Sequence, residues 1–168
     1  QATWVITSFG VSNAIAVPLT GWLTQRFGAV RLWTSSVLLF VLASMLCGLA
    51  TSLEMLVAAR VLQGLVAGPL MPLSQTLLMA TYPRAQAGRA LAFWGMTTLV
   101  APVVGPLLGG WLTDNLSWPW IFFINLPVGL LAAGVAWSLY RTRQTTIRRL
   151  PFDTIGLALL VLVGCAMQ

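Results

Sequence analysis

The chain has 168 residues, of which 58% are hydrophobic and only 7% are charged. A soluble domain carries about 25% charged residues, so this composition excludes an ordinary soluble fold and indicates a membrane protein. The net charge is +6 and every basic residue is an arginine, without the aromatic interleaving typical of a nucleic-acid surface. Because the chain has no histidine and only three acids, it lacks the usual residues of acid–base catalysis, and we expect no enzyme.

Six strongly apolar segments follow one another along the chain, and a helix needs about 20 residues to cross a bilayer. The segments predict helices over 3–23, 30–50, 55–80, 89–113 and 120–140, and a further helix from 154 onward. The predicted fold is an all-α membrane protein with about five full spans plus part of a sixth. Since the chain begins at Gln1 without a methionine and stops at Gln168 inside an apolar segment, we expect a fragment of a longer protein.

Basic and acidic breaks alternate between the predicted helices. The first, third and fifth breaks hold the arginines, namely Arg26 and Arg31, then Arg84 and Arg89, then Arg141, Arg143, Arg148 and Arg149. The only charged residues in the two intervening breaks are acidic, Glu54 in one and Asp114 in the other. Loops rich in arginine face the cytoplasm in membrane proteins. The pattern therefore predicts that Gln1 lies on the periplasmic side and that the arginine-rich loops are cytoplasmic.

Two cysteines, Cys47 and Cys165, both lie inside apolar segments. Neither has a cysteine or histidine neighbour, so the sequence argues against a disulfide and against a metal site. We expect both to behave as small apolar residues.

Arg60 is the only charged residue that lies away from the ends of a predicted span. It lies about 9 Å beyond Glu54 at 1.5 Å per residue of helix, where an arginine costs on the order of 3 kcal/mol. Two interpretations stay open: the side chain extends back to water at the helix end, or it faces an internal cavity. Gln63, three residues later, shares its helix face. No acid lies within a span, so a buried counter-ion would come from outside this sequence.

Other polar and small residues inside the spans have two interpretations each. Asn13, Gln75, Thr97 and Asn125, together with Ser74 and Thr98, either bridge helices by hydrogen bonds or line a substrate cavity. Gly64 and Gly68, and Ala101, Gly105 and Gly109, recur at four-residue spacing. This spacing predicts close contact between helix backbones.

Several segments carry a family resemblance in chain order. Residues 21–28 (GWLTQRFG) fit the loop signature G-x-L-a-D-r-x-G, and Leu56, Arg60, Gln63 and Gly64 fit the helix pattern l-x-x-x-R-x-x-q-G. Residues 101–110 fit the antiporter pattern g-x-x-x-G-P-x-x-G-G, with alanine for the first glycine. Residues 120–129 (WIFFINLPVG), and then Asp153 and Gly156, complete the series. Together they resemble the major facilitator superfamily, specifically its fourteen-helix drug:proton antiporter branch.

The resemblance implies a major-facilitator-type helix bundle and assigns three segments to it. Residues 1–140 correspond to the N-terminal bundle without its first helix, 141–153 to a basic cytoplasmic loop, and 154–168 to the start of the next transmembrane helix. The first helix of a typical member carries an acid, which would be the partner of Arg60. Gln25 departs from the loop signature, where the family has aspartate, and this puts a charge interaction at that position in doubt.

The implied function is proton-coupled efflux of hydrophobic toxic compounds across a bacterial inner membrane, without a cofactor. By resemblance, Arg60 and Gln63 would couple protons, and a cytoplasmic gating loop would comprise Gly21, Gln25, Arg26, Gly28 and Arg31. The antiporter motif would comprise Ala101, Gly105, Pro106, Gly109 and Gly110, and Asn13, Gln75, Thr97 and Asn125 are the candidates for a substrate cavity.

The implied partners are the lipid bilayer, drug-like substrates and protons, with a periplasmic adaptor and an outer-membrane channel. Two alternatives stay open: a transporter of a defined metabolite, and a membrane scaffold without transport activity. A scaffold has no need of a charged residue at position 60, so removing that charge distinguishes the scaffold from a coupled transporter.

Overall fold

The computed structural model of the chain describes residues 2–140, which are almost entirely helical and contain no strand. The helices are α1 (Ala2–Phe27), α2 (Ala29–Gly48), α3 (Leu53–Ala67), α4 (Leu70–Thr81), α5 (Arg84–Asn115), α6 (Trp120–Phe123) and α7 (Asn125–Tyr140). Within these residues, five segments are long and apolar enough to span a membrane, because α3 with α4, and α6 with α7, each form one segment. The predicted all-α membrane bundle is confirmed. The predicted loop 141–153, the helix from 154 and the side chain of Cys165 lie outside the described residues.

Two predicted helices are each divided by a proline. The helix predicted over 55–80 is interrupted at Gly68 and Pro69, since proline has no N–H to donate to the preceding turn. The helix predicted over 120–140 is interrupted at Ile124, three residues before Pro127, which cannot donate to the carbonyl of Phe123. The chain direction is kept at the first break, where Gly68 N donates to Gly64 O over 3.1 Å.

The corner between α1 and α2 consists of one residue, Gly28. Its φ of 84° is the only positive value among the described residues, and this region of backbone conformation suits glycine because it has no Cβ. Gly28 N donates to Thr24 O over 2.9 Å, and Leu32 N donates to Gly28 O over 3.0 Å. The glycine therefore reverses the chain while both neighbouring helices keep their backbone hydrogen bonds.

Alternating helix directions give the bundle two chemically different ends. The arginine end carries Arg26, Arg31, Arg84 and Arg89, and the acidic end carries Glu54 and Asp114. Helix α2 lies innermost and contacts α1, α3, α4, α6 and α7. Half of the residues in its most apolar stretch are buried, whereas none are buried in the most apolar stretch of α5. Helix α5 contacts only α4 and α6 among these helices. One side of the described bundle is therefore tightly packed, and α5 forms its open edge.

Small residues bring α3 against α1. A Cβ at Gly64 would overlap the backbone oxygen of Phe9, and a Cβ at Gly68 would lie 2.9 Å from Asn13 O and 2.5 Å from Ala16 Cβ. The close backbone contact predicted from the spacing of these two glycines is confirmed. This close contact with α1 places α3, and with it Arg60 and Gln63, inside the bundle.

Candidate functional site: a buried arginine near the acidic end

Arg60 and Gln63 lie one turn apart on α3 and pair with each other. Ser52 directly precedes α3, and its hydroxyl accepts a hydrogen bond from Met55 N over 3.2 Å, which satisfies one free amide of the first turn. Arg60 Nη1 donates to Gln63 Oε1 over 2.9 Å. The amide side chain is almost fully enclosed, with 1% of its surface exposed. Their predicted position on one helix face is confirmed, and Gln63 holds the guanidinium among the helices.

Two aromatic rings enclose the guanidinium of Arg60. Its Cζ lies 5.3 Å from the ring centre of Phe9 on α1 and 5.0 Å from that of Phe122 on α6. Rings at such distances attract a cation through the negative charge density of their faces, by about 2 kcal/mol when water is excluded. Arg60 is half-buried between α1, α3 and α6. This geometry holds the side chain between helices of the bundle, and the interpretation that it faces an internal cavity stays a prediction.

The thiol of Cys47 on α2 completes the cluster. Cys47 is fully buried, and its Sγ lies 3.8 Å from Gln63 Oε1, in position to donate a weak hydrogen bond. The residue predicted to be merely apolar therefore also makes a polar contact. Gln63 Oε1 accepts from both Arg60 and Cys47, so α2 and α3 share one acceptor inside the apolar bundle.

No carboxylate lies beside Arg60 among residues 2–140. The two acids within this range, Glu54 and Asp114, are both exposed. Arg60 Nε is buried and has no hydrogen-bond partner among the described residues. Such a donor gains from an acceptor, because a buried unpaired donor costs about 1 to 3 kcal/mol. The arrangement can therefore stabilise an anionic or acidic group that approaches from a part of the protein beyond the described residues.

The segment predicted as a gating loop is mostly helical. Gly21, Gln25 and Arg26 lie on the last two turns of α1, Gly28 forms the corner, and Arg31 lies on the first turn of α2. The guanidinium of Arg26 lies over the rings of Trp22 and Phe27, at 5.2 and 5.8 Å. Except for the buried Gly28, the predicted gating residues are exposed at the arginine end. They form one surface there, remote in sequence from Arg60.

The predicted antiporter motif lies on the open edge of the bundle. Ala101, Gly105, Pro106 and Gly110 are exposed on α5, and Gly109 is half-buried. Nothing lies within 4 Å of a Cβ placed at Gly105, Gly109 or Gly110. The motif therefore makes no close helix contact within residues 2–140, unlike Gly64 and Gly68.

The four residues predicted to line a cavity do not come together. Asn125 Nδ2 donates to Ser44 Oγ over 2.9 Å, so this side chain joins α7 to α2. Asn13 lies at the α1–α3 contact through its backbone, and Gln75 is half-buried on α4. Thr97 lines a groove of about 530 Å³ between α4 and α5 near the arginine end, with Arg89, Phe93 and Trp94. Arg60 and this groove lie towards opposite ends of the bundle.

Four residues at this site are not among the predicted site residues. Two of them contact Arg60 itself, Phe9 and Phe122, and two contact its partners, Cys47 and Ser44. Aromatic residues and serine are common in membrane helices, so residue type alone gives no signal at these positions. Their role becomes visible only after α1, α2, α3 and α6 have been packed around the arginine.

Comparison with known proteins shows the family of the chain. A family model described as the Major Facilitator Superfamily matches residues 1–164. Over 166 residues the chain is 58% identical to the multidrug export protein EmrB of Haemophilus influenzae, which covers 98% of this chain and 32% of that relative. Over 168 residues it is 54% identical to the fatty acid resistance protein FarB of Neisseria gonorrhoeae. This match covers 100% of this chain and 33% of that relative.

The multidrug export protein EmrB of Escherichia coli is 54% identical over 162 residues, which cover 96% of this chain and 32% of that relative. The chain thus spans about one third of the length of these curated relatives. The chain forms a helical bundle with membrane-length spans and carries a half-buried arginine on its third span. The family model matches it along nearly its whole length. The chain belongs to the major facilitator superfamily.

Proposed function

We propose that this chain is part of a proton-coupled multidrug efflux transporter of the fourteen-helix branch, which exchanges hydrophobic toxic compounds for protons. The observation that carries the proposal is Arg60, a cation held inside a membrane-length bundle by Gln63, Phe9 and Phe122. Burying a charge in a membrane span is costly, and such residues mark ion and substrate pathways. Relatives that are 54–58% identical carry names of multidrug export and fatty acid resistance proteins.

Arg60 acts on protons through an acidic group supplied by the rest of the protein. A cation favours the ionised form of a nearby carboxyl group and so favours release of its proton. Among the described residues the guanidinium of Arg60 is paired with the neutral Gln63 and has no carboxylate beside it, so its charge is left to act on that group. Binding of substrate and binding of a proton then compete, and the transporter alternates between two states in which the site opens to opposite sides.

The open face of α5 and the exposed surface at the arginine end contact the remainder of the protein during this cycle. Gly105 and Gly109 leave room for a second helix backbone to approach α5 closely. The exposed residues at the arginine end stabilise one of the two transport states at the cytoplasmic face; they are Gly21, Gln25, Arg26 and Arg31. The transporter lies in a bacterial inner membrane with its arginine end in the cytoplasm, and works with a periplasmic adaptor and an outer-membrane channel.

The test uses the full-length protein in liposomes with an imposed pH gradient. Adding a hydrophobic drug to the wild-type protein is expected to collapse the gradient, as followed by a pH-sensitive dye inside the liposomes. Arg60→Leu is expected to lower this drug-dependent proton flux at least about tenfold, because a group that acts through its charge is lost. Arg84→Leu removes the same charge from an exposed position at the start of α5, and is expected to keep most of the flux.

Two results contradict the proposal. The absence of drug-dependent proton movement in folded wild-type protein, across a broad panel of drugs, argues for a metabolite transporter or a scaffold. Equal flux in wild type and Arg60→Leu removes the role given to the buried cation.

A further inference from the structure

The hydroxyl of Ser44 connects three elements near Arg60. Ser44 Oγ donates to the backbone oxygen of Phe122 over 2.9 Å and accepts from Asn125 Nδ2 over 2.9 Å. Ser44 is fully buried in α2, and its partners lie 78 and 81 residues away in sequence, on either side of the break between α6 and α7. One hydroxyl of α2 therefore hydrogen-bonds to both sides of this break.

This link differs from the usual behaviour of hydroxyls in the same bundle. The side chains of Ser12, Thr24 and Ser35 donate to carbonyls three or four residues earlier in their own helices, as serine and threonine commonly do inside helices. Such bonds hold no second element in place. Ser44 instead satisfies a backbone carbonyl of α6, next to the position where the helix is interrupted.

The residue held by Ser44 is one of the two aromatic residues that contact the arginine. Phe122 is 7% exposed, and its ring centre lies 5.0 Å from Arg60 Cζ. One turn along α2 from Ser44, the thiol of Cys47 contacts Gln63 Oε1, the acceptor of Arg60 Nη1. Helix α2 thus contacts both an aromatic partner and the hydrogen-bond partner of the cation without contributing a charge.

We propose that Ser44 and Asn125 are positioning residues for proton coupling, which hold the ring of Phe122 against the guanidinium of Arg60. Cys47 holds Gln63 in position in the same way, through the contact of its thiol with Gln63 Oε1. This inference rests on the proposed function of Arg60. When Ser44 loses its hydroxyl, the α6–α7 break loses its two hydrogen bonds to this side chain. Phe122 is then held less firmly against Arg60, and the cation samples positions from which it acts weakly on the proton-carrying group.

The test compares Ser44→Ala with Ser35→Ala in the full-length protein in liposomes. Ser35 is the matched control, since it lies on the same helix, is exposed and bonds within that helix. Drug export and proton flux are measured separately, and their ratio gives the protons moved per drug molecule. A merely structural loss lowers the amount of active protein and leaves this ratio unchanged. Ser44→Ala is expected to lower this ratio, and Ser35→Ala is expected to keep the wild-type ratio.

A second variant keeps the test decisive if Ser44→Ala does not fold. Asn125→Leu removes the donor to Ser44 from a half-buried position while keeping a side chain of similar size, and is expected to lower the ratio in the same direction. Combining either variant with Arg60→Leu is expected to cause no further loss, because residues that act through one another are not additive.

The proposal is overturned if both variants keep the wild-type ratio, or if they lower it equally with and without the Arg60 charge. Failure of the underlying function has a different signature. In that case wild-type protein shows no drug-dependent proton flux, or Arg60→Leu alone leaves the flux intact.

Discussion

The amide oxygen of Gln63 accepts from two donors at once, Arg60 Nη1 and the Cys47 thiol. A glutamine can accept two hydrogen bonds on this atom, so both donors are satisfied without a buried negative charge. A neutral acceptor keeps the positive charge of Arg60 uncompensated within the described residues. At the scale of single residues, this leaves the cation free to act on a group outside the bundle.

Gln63→Leu tests that arrangement. The variant removes the acceptor of Arg60 Nη1 and of the Cys47 thiol, and is expected to lower the free energy of unfolding by about 1 to 3 kcal/mol. Gln86→Leu, at an exposed position on α5, is expected to change it by less than about 0.5 kcal/mol. The measurement is the unfolding midpoint of the full-length protein in detergent. Equal midpoints for Gln63→Leu and wild type would show that the pair adds no stability.

Local spacing predicted part of this site, and packing decided the rest. The pairing of Arg60 with Gln63 follows from three residues of separation on a helix. Cys47 is 16 residues from Gln63, and Ser44 is 78 residues from Phe122. No periodicity in a single sequence reports contacts over such separations, so the aromatic partners and the α2 contacts became visible only in the folded bundle.

At the scale of elements, prolines and glycines decide where helices break and where they approach. Apolar length predicted the five spans correctly, since each contains enough apolar residues to cross a bilayer. It did not predict the breaks at Pro69 and before Pro127, because mean hydropathy carries no information on hydrogen-bond donors. The predicted loop after residue 23 is helical to Phe27, since nothing before Gly28 forces the chain to turn.

The contact between α1 and α3 gives a prediction with a control on the facing helix. Gly64→Ala places a Cβ against the backbone oxygen of Phe9, and backbone atoms cannot move away as a side chain can. We expect a loss of about 1 to 3 kcal/mol of unfolding free energy, the usual cost of overpacking. Gly10→Ala on α1 meets nothing within 4 Å and should leave stability unchanged or raise it by up to about 1 kcal/mol. Thermal unfolding midpoints of the two variants check both expectations, and similar midpoints would contradict the tight contact.

The open face of α5 gives the opposite expectation. A Cβ at Gly105 meets nothing within 4 Å among the described residues, so Gly105→Leu should disturb the remainder of the protein more than this bundle. We expect drug-dependent proton flux in the full-length protein to fall at least about tenfold, since a leucine prevents the close approach that small residues permit. Gly88→Leu, exposed near the start of the same helix, is the control and should keep its flux. Full activity of Gly105→Leu would show that α5 needs no close neighbour there.

At the scale of the whole molecule, charge separates the two ends of the bundle. Arg26, Arg31, Arg84 and Arg89 share one end, and Glu54 and Asp114 share the other. Arginines that flank spans are retained on the cytoplasmic side during insertion. By this rule the arginine end of the bundle is expected to face the cytoplasm.

Labelling from outside intact cells tests the orientation. Asp114→Cys in the full-length protein should react with a membrane-impermeant maleimide in intact spheroplasts, whereas Arg84→Cys should react only after the membrane is opened. Both positions are exposed, so a difference reports sidedness and not burial. Protein without the added cysteine gives the background, and the reverse pattern would invert the proposed orientation.

The single-residue corner at Gly28 has a practical consequence for attaching a reporter to this protein. An insertion there would separate two helices whose end-to-end distance is set by one buried glycine with a φ of 84°. The turn at 116–119 joins α5 to α6 through mostly exposed residues, and chain insertions are tolerated best at such positions. A fluorophore or epitope belongs at this turn, where it can follow the acidic end of the bundle without separating α1 from α2.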